Sequence, residues 1–131
     1  MTVDGVTVRV TAPEGVFPRG ASLEVTKVSV SEEKDALKAV KEEGKDSNIA
    51  KSYTFDITIF DKDGNELQPD TSKGSVNVSF TTGEVGEYDT SVFHMDGDDA
   101  EKLETKEKGE TATAKTDGFS WYIVVFILIS T

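Results

Sequence analysis

Four oxygen-bearing side chains in one turn have the spacing of a possible calcium site. They are Asp61, Asp63, Asn65 and Glu66. Hard cations prefer several oxygen ligands, which alternating Asp and Asn positions supply. A complete EF-hand loop also requires a glutamate at its twelfth position, where this chain has Ser72. The pattern therefore favours a solvated hairpin turn, with calcium binding as the alternative.

The only histidine of the chain, His94, has a side chain suited to general-base or metal-ligand chemistry near neutral pH. It stands between Phe93 and Met95 in a segment predicted to be a strand. A lone histidine in such a place is most often a half-exposed partner of a neighbouring strand, and no Ser-His-Asp set can be argued from it. We therefore predict no enzymatic activity, no cofactor and no resident metal.

Aromatic side chains are the other candidates for binding, because planar rings stack on sugars in many carbohydrate-binding sandwiches. The candidates are Tyr53, Tyr88, Trp121 and Tyr122. Trp121 begins the most apolar stretch of the chain, so a place in the core is favoured for it, with glycan binding as the alternative.

The composition excludes several kinds of site. The 131 residues include 25 acidic and 14 basic side chains, for a formal net charge of −11, and no cysteine. Thiolate chemistry and zinc sites built from cysteine or several histidines are therefore excluded. Nucleic-acid binding needs clustered Lys and Arg, so the acidic balance argues against a nucleic-acid partner. The length predicts one domain over residues 1–131.

Alternating apolar residues predict the strands that must position these side chains. The segments with this pattern or with weaker strand character are 6–11, 53–60, 75–80, 91–95, 102–105 and 111–115. After Leu23 and Val25 the alternation continues in the opposite phase, which predicts a bulge near Thr26 and Lys27. About eight short strands separated by regular turn signals predict an all-β fold, an antiparallel β-sandwich of immunoglobulin-like type.

One short α-helix, at about 32–43, is predicted as an insertion between strands. Ser31 has the residue type of an N-cap, and two glutamates follow it in the first turn. The apolar positions at helical spacing are Ala36, Leu37 and Val40. Gly44 is a plausible stop signal.

The sequence also contains one long apolar segment and one long charged segment. Residues 121–129 are continuously apolar, but a membrane-spanning helix needs about 20 such residues. The run therefore predicts a strand buried on both faces and no membrane insertion by this domain. Residues 98–110 are strongly charged, which predicts a solvated hairpin whose Lys and Glu side chains protect a sheet edge.

Four segments in this order resemble a β-rich module of large surface proteins from Gram-positive gut bacteria. They are residues 5–29, 53–69, 92–104 and 117–126. The first segment is also similar to the start of the ZU domain, a β-sandwich with two turns rich in proline and glycine. The matching residues are Pro13, Glu14, Gly15, Pro18 and Gly20. The resemblance implies a ZU-like sandwich, secreted and attached to the cell wall or cell surface.

The last segment resembles a motif at which some related sandwich proteins cut their own chain. There the bond between Phe and Ser breaks, which here implies attack of the Ser120 hydroxyl on the Phe119 carbonyl. The family places the general base, a histidine, immediately before Phe, where this chain has Gly118. Only His94 remains as a base, provided that a neighbouring strand brings it close.

These observations predict a non-catalytic structural or adhesive module of a bacterial cell-surface protein. Its expected partners are neighbouring domains of the same chain. A module that binds a glycan or a host protein is one alternative, and an autoproteolytic domain cut at Phe119–Ser120 is the other.

Overall fold

Strands make up most of the described chain. The structure, a computed structural model, describes residues 1–44, 49–97 and 99–127. The strands are β1 Thr2–Val3, β2 Val6–Thr11, β3 Ser22–Lys27, β4 Ile49–Phe60, β5 Glu66–Leu67, β6 Val76–Thr81, β7 Asp89–Asp96, β8 Asp99–Lys102, β9 Thr105–Lys108, β10 Thr111–Thr116 and β11 Trp121–Ile127. One α-helix, α1, covers Val30–Gly44, and two 3₁₀ turns cover Thr71–Lys73 and Gly83–Gly86.

The strands form two antiparallel sheets that pack face to face. The first sheet has the order β1-β2-β6-β10-β9, and the second has the order β3-β4-β11-β7-β8, with β5 pairing to β4. Alternate residues of both sheets point into one shared core, as the period of two requires. The predicted all-β sandwich with one short helix is thus confirmed. The described residues form eleven strands instead of about eight. β1 and β5 were not predicted, and two strands, β8 and β9, stand where the sequence predicted one at 102–105.

The apolar run near residue 121 lies in the middle of the second sheet, with β4 on one side and β7 on the other. Tyr122, Val124 and Phe126 face the core between the sheets. Ile123 and Val125 face the opposite side, where α1 covers them. Burial of each such side chain contributes about 1.5–3 kcal/mol, so both faces of β11 stabilise the fold. The prediction of a doubly buried strand is confirmed for 122–126, with Trp121 and Ile127 half-buried at the two ends. Residues 128 and 129 lie outside the described ranges. No helix within those ranges has the length and apolar character required to traverse a bilayer.

The helix begins at Val30, earlier than predicted, and its cap is Ser29 instead of Ser31. The Ser29 hydroxyl accepts a hydrogen bond from the Glu32 backbone N–H at 3.2 Å. The Glu32 carboxylate in turn accepts one from the Ser29 N–H at 3.2 Å. This reciprocal pair is a capping box, which requires Ser and Glu three residues apart. The bulge predicted near Thr26 and Lys27 was wrong, because β3 ends at Lys27 and the chain turns into the helix.

The charged run after residue 98 forms two edge strands on different sheets, so the prediction of one edge hairpin was wrong. β8 is the edge of the second sheet and β9 is the edge of the first. The chain crosses between them at Leu103, whose N–H donates to the Val92 carbonyl at 2.9 Å. Leu103 is buried in the shared core, and its burial favours the passage of the chain from the second sheet to the first. Residue 98 itself lies outside the described ranges.

Candidate functional site

The connection between β10 and β11, residues 117–120, closes one open end of the sandwich. β10 belongs to the first sheet and β11 to the second, so this connection bridges the two sheets. The end of β7, Gly97 and Gln68 lie around it. Several of the residues singled out from the sequence meet here.

Tyr122 anchors this end of the sandwich from within. Its ring is fully buried, and its hydroxyl donates to the Gly118 carbonyl and lies 2.8 Å from the Thr116 hydroxyl. The His94 imidazole stacks on the same ring, with centroids 4.8 Å apart. Burial raises the pKa of the Tyr122 phenol, and the charges of Asp117 and Glu101 raise it further, against the Thr116 hydrogen bond.

The peptide groups of Phe119 are held by the side chain of Gln68. The Phe119 N–H donates to Gln68 Oε1 at 2.9 Å, and Gln68 Nε2 donates to the Phe119 carbonyl at 3.2 Å. The Phe119 ring is buried and lies 5.9 Å from the ring of Phe17. The Ser120 hydroxyl donates to the Met95 carbonyl at 2.7 Å, so its single hydrogen is directed away from the Phe119–Ser120 bond.

His94 does approach this segment from the neighbouring strand. A Cβ placed on Gly118 would lie 3.7 Å from the His94 imidazole and 3.4 Å from Gln68 Oε1. The imidazole thus packs against the position where the resemblance places the family's histidine. Autocleavage at Phe119–Ser120 with His94 as base stays a prediction.

His94, Glu101 and Asp117 are brought together, although the sequence reasoning did not connect them. Their ligand atoms all lie within 4.8 Å of one another. His94 and Glu101 stand opposite each other in the β7–β8 ladder, and Asp117 follows the last residue of β10. The His94–Glu101 pair had a sequence signal, because the run Asp96-Gly97-Asp98-Asp99 is typical of a tight hairpin turn, and such a turn places residues 94 and 101 opposite each other. Asp117 had none, since it comes from the other sheet.

A groove of about 640 Å³ lies between α1 and the start of β11. Its lining residues are Asp35, Ala36, Lys38, Ala39, Met95, Gly97, Ser120 and Trp121. Trp121 is half-buried there and packs on the cluster beneath the helix. Among the four aromatic candidates, Tyr53 and Tyr122 are buried, and Tyr88 is half-buried against Phe126.

Tyr53 is held by a polar cluster that the sequence did not suggest. Its hydroxyl donates to Glu84, whose carboxylate also lies 3.0 Å from the Lys51 ammonium. Hydrogen bonds from Tyr53, then Thr82, then Lys51 lower the pKa of Glu84 to about 2. The ring packs in the core, so the described contacts of Tyr53 are structural.

The candidate calcium turn is organised by Asp61. Its carboxylate accepts from the backbone N–H groups of Asp63 at 2.9 Å and Asn65 at 2.8 Å. These bonds, with the Asn65 N–H foremost, lower the pKa of Asp61. Glu66 follows as the first residue of β5. The predicted hairpin turn is present, and calcium binding there stays a prediction.

No protein-family model, curated protein or solved structure matches this chain. Fold by itself does not determine function, because one fold supports many different sites.

Proposed function

We propose that this chain is a non-catalytic extracellular module of a bacterial cell-surface protein, with a structural or adhesive role. One observation carries this proposal: the polar side chains at the bridging connection hold backbone groups in place. Ser120 donates to the Met95 carbonyl, and Gln68 pairs with both peptide groups of Phe119. Such bonds fix the connection to the second sheet, at the end of β7 and just after β5, and leave these groups occupied. The sequence resemblance supports the location and suggests neighbouring domains of the same chain as partners.

The location is tested by labelling intact source cells with an antibody raised against the purified chain. We expect labelling of unbroken cells at the level of a known surface antigen, and none by a control antibody against a cytoplasmic protein. Labelling that appears only after lysis would contradict the proposal.

Glycan binding in the groove beside α1 is the second candidate. The observation that favours it is the half-buried ring of Trp121 in a groove that also offers Asp35, Lys38 and Ser120. An aromatic face with a few polar groups around it is the usual composition of a sugar site. A host protein is the other ligand class for the same surface.

Trp121 is the only tryptophan, so its fluorescence reports on the groove directly. A glycan identified on an array is expected to change this fluorescence when it is titrated into the protein. The same glycan is expected to bind Lys38→Ala with lower affinity. The matched control is Lys34→Ala, an exposed lysine of the same helix outside the groove. Equal affinities in the two variants would contradict a ligand in the groove. Binding of a glycan-free host protein would point to the other class.

Autocleavage is the remaining alternative. Intact mass measured after prolonged incubation distinguishes it, because hydrolysis after Phe119 yields two fragments. We expect one full-length mass, and two fragments would overturn the non-catalytic assignment.

A further inference from the structure

We propose that His94, Glu101 and Asp117 together bind one divalent transition-metal ion of the zinc or manganese type. The three residues come from the end of β7, from β8 and from the segment just after β10. Their ligand atoms converge within 4.8 Å of one another. Ligands around a tetrahedral ion at about 2.1 Å lie roughly 3.4 Å apart, so a small closure completes the geometry. Glu101 and Asp117 are exposed, and their side chains have the freedom to rotate by that amount.

The donor set decides the class of ion. One imidazole nitrogen and two carboxylates suit zinc, manganese and related transition metals. Calcium and magnesium take oxygen ligands, so a site centred on His94 disfavours them. The set also differs from the cysteine or multiple-histidine zinc sites that the composition excludes.

The surroundings of the three residues fit a bound cation. The imidazole is oriented by stacking on the Tyr122 ring at 4.8 Å, and that ring is fixed by its hydroxyl. Ion pairs with lysine in the described part of the chain join Lys27 to Asp4 and Lys51 to Glu84, and none involves Glu101 or Asp117. A cavity of about 230 Å³, lined by Glu101 and Asp117 and also by Lys115, has room for water ligands.

Binding would link the two sheets. His94 and Glu101 belong to the second sheet, and Asp117 follows the last strand residue of the first. Because the chain has no cysteine, a metal here would supply the cross-link that disulfides supply elsewhere. An ion that binds the folded chain and not the unfolded chain stabilises the fold by mass action.

The test uses the untagged chain with zinc, manganese or calcium chloride. His94 is the only histidine, so the ¹⁵N resonances of its ring report on metal binding without ambiguity. Zinc is expected to shift those resonances, with the shift saturating at one bound ion per chain. At a free zinc concentration of about 100 times Kd, the Tm is expected to rise by roughly 5–10 °C. Manganese is expected to broaden the same resonances, and calcium to leave them unchanged.

Variants assign the response to this site. Asp117→Asn and His94→Gln are each expected to lower zinc affinity at least about tenfold. The matched control is Glu104→Gln, an exposed acid close in sequence and outside the three ligands, which should bind zinc as the unaltered chain does. If His94→Gln fails to fold, the surface substitution Asp117→Asn carries the test. Unshifted His94 resonances at millimolar zinc would overturn the proposal. Full zinc affinity in Asp117→Asn, or an equal response to calcium, would also overturn it.

Discussion

At the scale of single residues, polar side chains of this protein do more to fix backbone and packing than their types suggest. The sequence favours a solvated turn at Asp61 and Glu66, and in the structure Asp61 holds that turn by accepting backbone hydrogen bonds, while Glu66 starts a strand. Glu84 drew no attention in the sequence, but it receives hydrogen bonds from Tyr53 and Thr82. The contact between Tyr53 and Glu84 joins residues 31 apart in the chain, so residue type alone could not predict it.

The lowered pKa of Glu84 predicts a loss of stability in acid. Its folded pKa of about 2 is below its ordinary value of 4.5, so its stabilising effect is present above 4.5 and lost as pH falls towards 2. Glu84→Gln is expected to unfold at lower urea concentration at pH 7, and to show a smaller stability loss between pH 4.5 and 2. Urea titrations across this range measure both. The control is Glu87→Gln, an exposed acid in the same loop, and equal pH profiles for both variants would contradict the assignment.

At the scale of elements, local alternation predicted the strands well where one face is buried and the other is solvated. β2 and β6 follow that pattern and lie close to the expected positions. β4 begins at Ile49, four residues before the predicted start, and Thr54 on its other face is buried as well. The helix start was misplaced, because Ser31 and Ser29 have the same type and only the partner three residues on distinguishes them. Lys34 follows Ser31 at that spacing, whereas Glu32 follows Ser29 and closes the capping box.

The two serines therefore differ in their effect on stability. Ser29→Ala is expected to lower the free energy of unfolding by about 1 kcal/mol, since it removes the acceptor for the Glu32 N–H. Ser31→Ala is expected to change it by less than about 0.5 kcal/mol, because Ser31 is exposed within the helix. Denaturant unfolding of both variants measures the difference, and a larger effect at Ser31 would contradict the capping box.

At the scale of the whole molecule, the sequence predicts the sandwich fold. It does not predict which residues meet at the end of the sandwich that the β10–β11 connection closes. Turn signals and strand periodicity imply two sheets, and the structure has two. The meeting of His94, Glu101 and Asp117 depends on which sheet each strand joins. The crossing of the chain at Leu103, which is buried in the shared core, determines that β8 and β9 join different sheets. Strand periodicity carries no information about this choice of sheet.

The outer edge of β9 is expected to keep the molecule monomeric. This edge strand carries exposed Lys106 and Lys108, and charged side chains discourage pairing with a second chain. The double variant Lys106→Val/Lys108→Val is expected to form dimers or larger species in light scattering coupled to gel filtration. Lys106→Glu/Lys108→Glu restores charge at the same positions and should remain monomeric. A monomeric valine variant would show that the lysines are dispensable for this purpose.

The central place of β11 also has a consequence for how fast the chain folds. β11 pairs with β4, from which it is separated by about half of the chain, and β2 and β6 are separated by a similar length. Closing a loop of this length costs conformational entropy before any stabilising contact forms. Proteins dominated by such long-range pairings fold in milliseconds to seconds. Until β11 inserts, the apolar edges of β4 and β7 stay unpaired and open to other chains. The time taken to close the second sheet is therefore the interval in which this protein is most exposed to aggregation.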